Sequence, residues 1–189
     1  MQDWKEVQAW RRAERARLIE RRMATPVAER REWSGAIALY LSGLVTERAP
    51  DTIGFYWPFK AEFDARPLIG RLLDAGLSAA LPVVVAPKSP MEFRLWTPEA
   101  AMDIGVYDIP FPRERNVVVP DLVLAPLVGF DAAKYRLGYG GGYFDRTLAV
   151  LKPRPIAIGI GFELGRLATV HPQPHDLVMD TIVTEAGAF

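Results

Sequence analysis

The chain has 189 residues, 50% of them hydrophobic, with 23 basic and 23 acidic side chains that cancel to zero net charge. That composition excludes a disordered chain and is long enough to bury a substantial core, so one domain over residues 1–189 is expected. The absence of cysteine removes disulfides, thiolate zinc sites and cysteine nucleophiles together. No run approaches the ~20 apolar residues of a membrane span, and MQDWKEVQAWRR has no apolar stretch like a signal peptide, so the cytoplasm is the expected compartment.

Residues 3–23 carry no glycine or proline and predict a helix. Arg11, Arg15, Leu18 and Arg22 share one of its faces, and residues 11–22 hold six arginines against Glu14 and Glu20. A solvated basic face is the ordinary reading of such a stripe. Thr25 can cap a second helix with Pro26 in its first turn, running past Ile37 and Leu41 to Pro50. Residues 52–57 (TIGFYW) predict a strand, and residues 59–62 a loop at its carboxyl end. A glutamate after a strand is more often a solvated loop residue, yet α/β proteins gather their sites at such carboxyl ends, so Glu62 is a candidate and Lys60 a weaker one. Asp64 can cap a helix over 65–75 that ends at Gly76.

Residues 78–85 (SAALPVVV) and 91–96 (MEFRLW) predict two more strands around a turn. Residues 97–120, with prolines at 98, 110, 112 and 120, predict an irregular stretch, either a lid or a surface excursion. Residues 121–126 (DLVLAP) read as a buried strand, 143–151 as a helix, 155–161 (PIAIGIG) as a buried strand and 180–185 (DTIVTE) as an edge strand. His171 and His175 mimic a metal pair, but Pro172 and Pro174 forbid the helix that would align them, so both are expected in a solvated loop. Helices between apolar strands predict an α/β three-layer fold with a largely parallel sheet.

The densest signal is RLGYGGGYFDR at residues 136–146, with four glycines in five positions. Strand, glycine loop and helix in succession form a cradle for phosphate, with backbone N–H groups and the helix dipole facing the anion. A Walker loop is excluded because Gly141-Gly142 leads into Tyr143 rather than Lys-Ser/Thr. The dinucleotide fingerprint fails at the same residue, where its last glycine would fall. A plain turn would also use glycines, but Arg136 before them can pair with phosphate and Asp145 after them can hold magnesium.

This stretch closely resembles the signature of 5-formyltetrahydrofolate cyclo-ligases, also called 5,10-methenyltetrahydrofolate synthetases. The resemblance extends over nearly the whole chain, through the basic first helix, Glu62 and an aspartate near the C-terminus. It implies a Rossmann-like fold related to ribose-phosphate isomerase and CoA-transferase folds. It also implies ATP- and Mg²⁺-dependent closure of 5-formyltetrahydrofolate to 5,10-methenyltetrahydrofolate, by phosphorylation of the formyl oxygen and attack by N10. Arg11, Arg15 and Arg136 would then hold ATP phosphates, with Leu137, Gly138, Gly140, Gly141, Gly142 and Tyr143 forming the cradle. Asp145 and Asp180 would hold Mg²⁺. Glu62 and Tyr143 would position the pterin and N10, with Tyr139 and the glycines against the folate and Trp57 and Phe59 as stacking partners. Glu62, Tyr143 and Arg136 are the residues assigned to catalysis. The expected protein is a monomer acting on folate with or without a polyglutamate tail, and it needs no nucleic acid or membrane.

Two positions depart from the family pattern. Tyr139 stands where some members have arginine, and Phe144 where a second tyrosine is commoner. A paralogue acting on another substrate, or a non-catalytic nucleotide- or nucleic-acid-binding module, would also carry the loop and the basic helix; steep salt dependence of nucleic-acid binding would mark the last.

Overall fold

The computed structural model describes residues 4–189. The first helix, α1 (Trp4–Ala24), matches expectation; its predicted start at Asp3 lies outside the described residues. Its basic face is turned inward rather than solvated, with Arg11 and Arg22 buried beside Val7 and Leu18. Thr25 does not cap the second helix, α2 (Val27–Arg48). Its hydroxyl donates to the Arg21 carbonyl at 3.0 Å and closes α1 instead.

The next elements are β1 (Thr52–Gly54), α3 (Arg66–Asp74), β2 (Ser78–Val83) and β3 (Glu92–Leu95). β1 is shorter than the predicted 52–57 because the chain leaves the sheet after Phe55, whose N–H still reaches the Ala80 carbonyl. Asp64 accepts from the Arg66 N–H at 3.0 Å at the start of α3. Residues 97–120 are more regular than expected. They form β4 (Met102–Ile104) and β5 (Pro110–Pro112), a separate hairpin whose tip places Tyr107 and Asp108 in the left-handed region, and then β6 (Val117–Val118).

β7 (Leu122–Pro126) is buried throughout. It does not feed the glycine loop directly. A hairpin of β8 (Gly129–Phe130) and β9 (Arg136–Leu137) intervenes. Buried Asp131 sets its turn by accepting from the N–H groups of Ala133 and Tyr135, and it ties the hairpin to Val170. The chain finishes with α4 (Tyr143–Val150), β10 (Ile156–Ile160), β11 (Thr181–Thr184) and β12 (Gly187–Ala188). β11 is not the edge, because β12 pairs outside it.

The eight-stranded sheet runs β12-β11-β10-β7-β1-β2-β3-β6. Its centre, β11 to β2, is parallel, β12 and β3 run against it on either side, and β6 pairs antiparallel with β3. Alternate side chains enter opposite cores, as the two-residue period of a strand requires. Ile53, Leu81, Leu122, Leu124 and Ile158 pack with α2 and α3, and Ala80, Val123, Ala125 and Ala157 pack with Leu148 of α4. The result is the expected α/β layering, helix on sheet on helix. Chain order reverses between β1 and β7: β1 continues to β2 on one side, and β7 to β10 and β11 on the other. A sheet of this type opens a crevice beyond the carboxyl ends at that switch point.

Candidate active site

A cavity of about 660 Å³ occupies that crevice. Its walls come from the first half of α1, the loop after β1, the end of β2, the tip of the β4–β5 hairpin and residues 136–145. The expected residues Arg11, Arg15, Trp57, Phe59, Glu62, Arg136, Leu137, Gly138, Tyr139, Gly140, Gly141, Gly142, Tyr143 and Asp145 all line it. The hairpin tip, residues 105–111, contributes to the wall, so the 97–120 stretch is part of the cavity.

The glycine loop is shaped by two positions. Gly140 has φ +93°, and a Cβ there would stand 3.2 Å from the Arg15 guanidinium carbon. Gly142 has φ +61° at the start of α4, a left-handed cap that a side chain would strain. Arg15 donates from Nε to the Gly138 carbonyl at 2.8 Å, which fixes the loop against α1. Burial presses its guanidinium below the usual range, the charges of Arg11 and Arg12 act the same way, and Asp176 alone opposes them. At this end of the cavity Arg11, Arg12, Arg15 and Arg136 face Asp145 and Asp176, leaving positive charge in excess.

Arg136 is buried, and its Nη2 donates to Asp145 Oδ2 at 2.8 Å. Its Nε is buried without a protein acceptor. Asp145 Oδ1 accepts from the Leu177 N–H at 3.2 Å. Arg11 is spent differently from expectation: its nitrogens donate to the carbonyls of Val170 and His171 and to Asp176. It anchors residues 170–176 against α1. Arg12, one residue on, lines the cavity and was missed because it lies off the face shared by Arg11 and Arg15. Asp176 was missed as well; only its pairing with Arg11, across 165 positions, gives it away.

A second part of the wall, joined to the glycine loop through Tyr139, is built around Glu62. Lys60 (φ +47°) and Ala61 (φ +60°) stand in succession in the left-handed region, a strain on the order of 1–3 kcal/mol per residue. That turn swings Glu62 back, so its Oε2 accepts from the Phe59 N–H at 2.8 Å and its Oε1 from the Tyr139 hydroxyl at 2.7 Å. The Glu62 side chain is only 4% exposed. Burial pushes its carboxyl above the usual range, against the pull of Tyr139, Arg22 and the Phe59 N–H. Phe59 packs on Tyr139 with ring centres 5.8 Å apart, and Arg66 stacks over Trp57 at 4.5 Å. Phe144, which lacks the hydroxyl of the commoner tyrosine, lies with its ring under the Arg136 guanidinium at 5.5 Å.

Asp180 is not brought to this site. It precedes β11 at the amino end of the parallel strands, where Oδ2 accepts from the Ala157 N–H at 2.8 Å and Oδ1 from Arg154 at 3.1 Å. Its carboxylate joins two strands, and the expected magnesium role falls away because the cavity lies at the other end of the sheet. His171 and His175 do not pair either. His171 is half-buried, edge-on to Trp10 of α1 at 4.6 Å, whereas His175 stays exposed in its loop as expected, with the Trp4 ring 6.2 Å away. No helix among the described residues is long and apolar enough to cross a membrane.

Known proteins share this arrangement along most of its length. A 5-formyltetrahydrofolate cyclo-ligase of Mycolicibacterium smegmatis is 29% identical over 180 residues, spanning 90% of this chain and 91% of its own. A 5,10-methenyltetrahydrofolate synthetase from Mycoplasma pneumoniae superposes with a TM-score of 0.77 at 26% identity, over 93% of this chain and 98% of its own. The Aquifex aeolicus 5,10-methenyltetrahydrofolate synthetase does so with a TM-score of 0.82 at 26% identity, over 94% and 91%. The model of the 5-formyltetrahydrofolate cyclo-ligase family matches residues 7–185, which takes in α1, the Glu62 turn and the whole glycine loop. The chain therefore belongs to the 5-formyltetrahydrofolate cyclo-ligase family, a family of enzymes.

Proposed function

We propose that this chain converts 5-formyltetrahydrofolate to 5,10-methenyltetrahydrofolate with ATP and Mg²⁺, releasing ADP and phosphate. The observation that carries this reading is one cavity whose wall holds two unlike groups of residues. Arginines and the glycine loop suit a triphosphate. The buried Glu62 carboxylate among aromatic rings suits a flat heterocycle that offers N–H donors.

The formyl oxygen of an amide is a poor leaving group. It becomes a good one by taking the γ-phosphoryl group as the bond to ADP breaks. N10 then adds to the formyl carbon, the carbon–oxygen bond breaks, phosphate leaves with that electron pair, and N10 gives up its proton. Positioning and charge neutralisation supply most of the catalysis in such a transfer. Arg15, Arg12 and Arg136 are the residues to hold the phosphates, and the loop over Gly138, Gly140, Gly141 and Gly142 lets them approach the formyl group. Tyr143 covers the loop side of the folate. Glu62 orients the N10 region and faces the proton that N10 loses.

Magnesium bound to the triphosphate would neutralise charge on the transferring oxygens. Asp145 is the residue to hold it, directly or through water. Among the described residues no group of three or more acidic or histidine side chains gathers at one point. That donor set fits a cation held chiefly by phosphate oxygens. We read the whole chain as one catalytic unit, because residues from α1 to Asp176 contribute to the cavity.

The test is incubation of purified protein with 5-formyltetrahydrofolate and Mg·ATP, following methenyl product by absorbance. Product is expected only when ATP and Mg²⁺ are both present. Folded protein that yields none at saturating substrate would contradict the reading.

A further inference from the structure

Arg22 lies behind the cavity wall, outside the residues that line it, and is only 3% exposed. Its guanidinium nevertheless reaches three segments that frame Glu62. Nε donates to the Lys60 carbonyl at 3.0 Å, on the left-handed turn that delivers Glu62. Nη1 donates to the Leu127 carbonyl at 3.4 Å, just past the end of β7. Nη2 donates to the Tyr139 hydroxyl at 2.5 Å, and that hydroxyl in turn donates to Glu62 Oε1. Arg22 and Glu62 themselves approach to 4.0 Å, both side chains 4% exposed.

We propose that Arg22 is a positioning residue that keeps Glu62 ionised and aimed at the folate, with the Tyr139 hydroxyl as the link between them. An isolated carboxylate this deeply buried would take up a proton rather than stay charged. Three other titratable groups stand nearby, and none replaces Arg22. Tyr56 donates its hydroxyl to the Phe63 carbonyl at 3.1 Å. The Lys60 ammonium lies over the Phe59 ring at 5.1 Å, and Asp64 is paired with Arg66 at 2.7 Å. Tyr139 thus has a defined use in this chain: it carries the charge of Arg22 to Glu62 through a hydroxyl.

The proposal rests on reading Glu62 as the folate-orienting carboxylate, so its test separates the two. Methenyl formation is measured against pH for the parent, Arg22→Met, Arg22→Lys and Tyr139→Phe. The Glu62 carboxyl is titrated in parallel by carbon-13 NMR, which needs no turnover. In Arg22→Met the acid limb of kcat/KM and the Glu62 titration should both move up by about one pH unit or more. Its turnover near neutral pH should fall roughly ten- to a hundredfold, with the KM for ATP unmoved. Arg22→Lys, which keeps the charge, should recover much of the loss. Tyr139→Phe, which removes only the hydroxyl, should shift both readings by less, since Arg22 and Glu62 remain 4.0 Å apart. If Arg22→Met does not fold, Arg22→Gln, which also removes the charge, takes its place beside Tyr139→Phe. A folded Arg22→Met or Arg22→Gln variant that leaves the Glu62 titration and the acid limb where the parent has them would overturn the proposal. A parent that makes no methenyl product would overturn the cyclo-ligase reading instead, and the NMR titration would still decide the coupling.

Discussion

Asp145 and Asp180, which the family resemblance pairs as magnesium ligands, lie at opposite ends of the parallel strands and hold different things. Asp180 accepts from the Ala157 N–H at the amino end of β10, and Asp121 does the same for the N–H groups of Asp51 and Thr52 at the amino end of β1. Asp145 stands beyond the carboxyl ends, against a buried arginine and in the wall of the cavity. The arginines show the reverse preference. Arg11, Arg15 and Arg22 all donate to backbone carbonyls around the crevice, those of Val170, His171, Gly138, Lys60 and Leu127. The amino end of a parallel strand exposes N–H groups, which need an acceptor, and the carboxyl end exposes carbonyls, which need a donor. An aspartate at the first end is thus explained by the sheet alone. Cations gathered at the second end serve the backbone first, and the charge left over is what a phosphate ligand can use.

The sharpest way to break this comparison is to make the same substitution at both ends. Asp145→Asn should lower kcat/KM by about a hundredfold or more, with a much smaller change in melting temperature and partial recovery at high Mg²⁺. Asp180→Asn should do the opposite, losing about 1–2 kcal/mol of stability with turnover close to the parent's. Equal activity losses at both positions would return Asp180 to the site. A melting-point drop with near-normal turnover at Asp145 would reduce it to a structural partner of Arg136.

The second comparison lies within α1. Arg15→Ala should raise the KM for ATP roughly tenfold or somewhat more and the KM for folate much less, because a charge-assisted contact to phosphate is lost. Arg17 pairs with Glu14 on the exposed side of the helix, and Arg17→Ala should leave both constants unchanged. An Arg15 variant with parent-like ATP dependence would confine that residue to holding the Gly138 carbonyl.

The parts of this site that could be read from the sequence are the local ones. RLGYGGGYFDR announces its own turn chemistry, since Gly140 and Gly142 do take positive φ, and the lack of helix breakers in residues 4–24 gives α1 directly. Glu62 was legible from its place after a strand and from the family resemblance. Arg22, Arg12 and Asp176 were not. Arg22 and Asp176 owe their places to partners 38 to 165 positions away, which no spacing rule records, and Arg12 comes from the adjacent face of the same helix. Strand order had a similar limit. Residues 180–185 were expected at the edge, yet two further residues, Gly187 and Ala188, take it. The β8–β9 hairpin was hidden because two-residue strands leave no periodicity to read.

The central claim is that the carboxyl-end crevice binds the nucleotide and the amino end of the sheet does not. Titrating nitrogen-15-labelled protein with Mg·ADP and following backbone amide shifts tests it most directly. The amides of Gly138, Gly140, Gly141 and Gly142 should move in a saturable way, while those of Ala157 and Asp180 stay in place. Shifts centred on Ala157 and Asp180, or none in the glycine loop at saturating nucleotide, would contradict it.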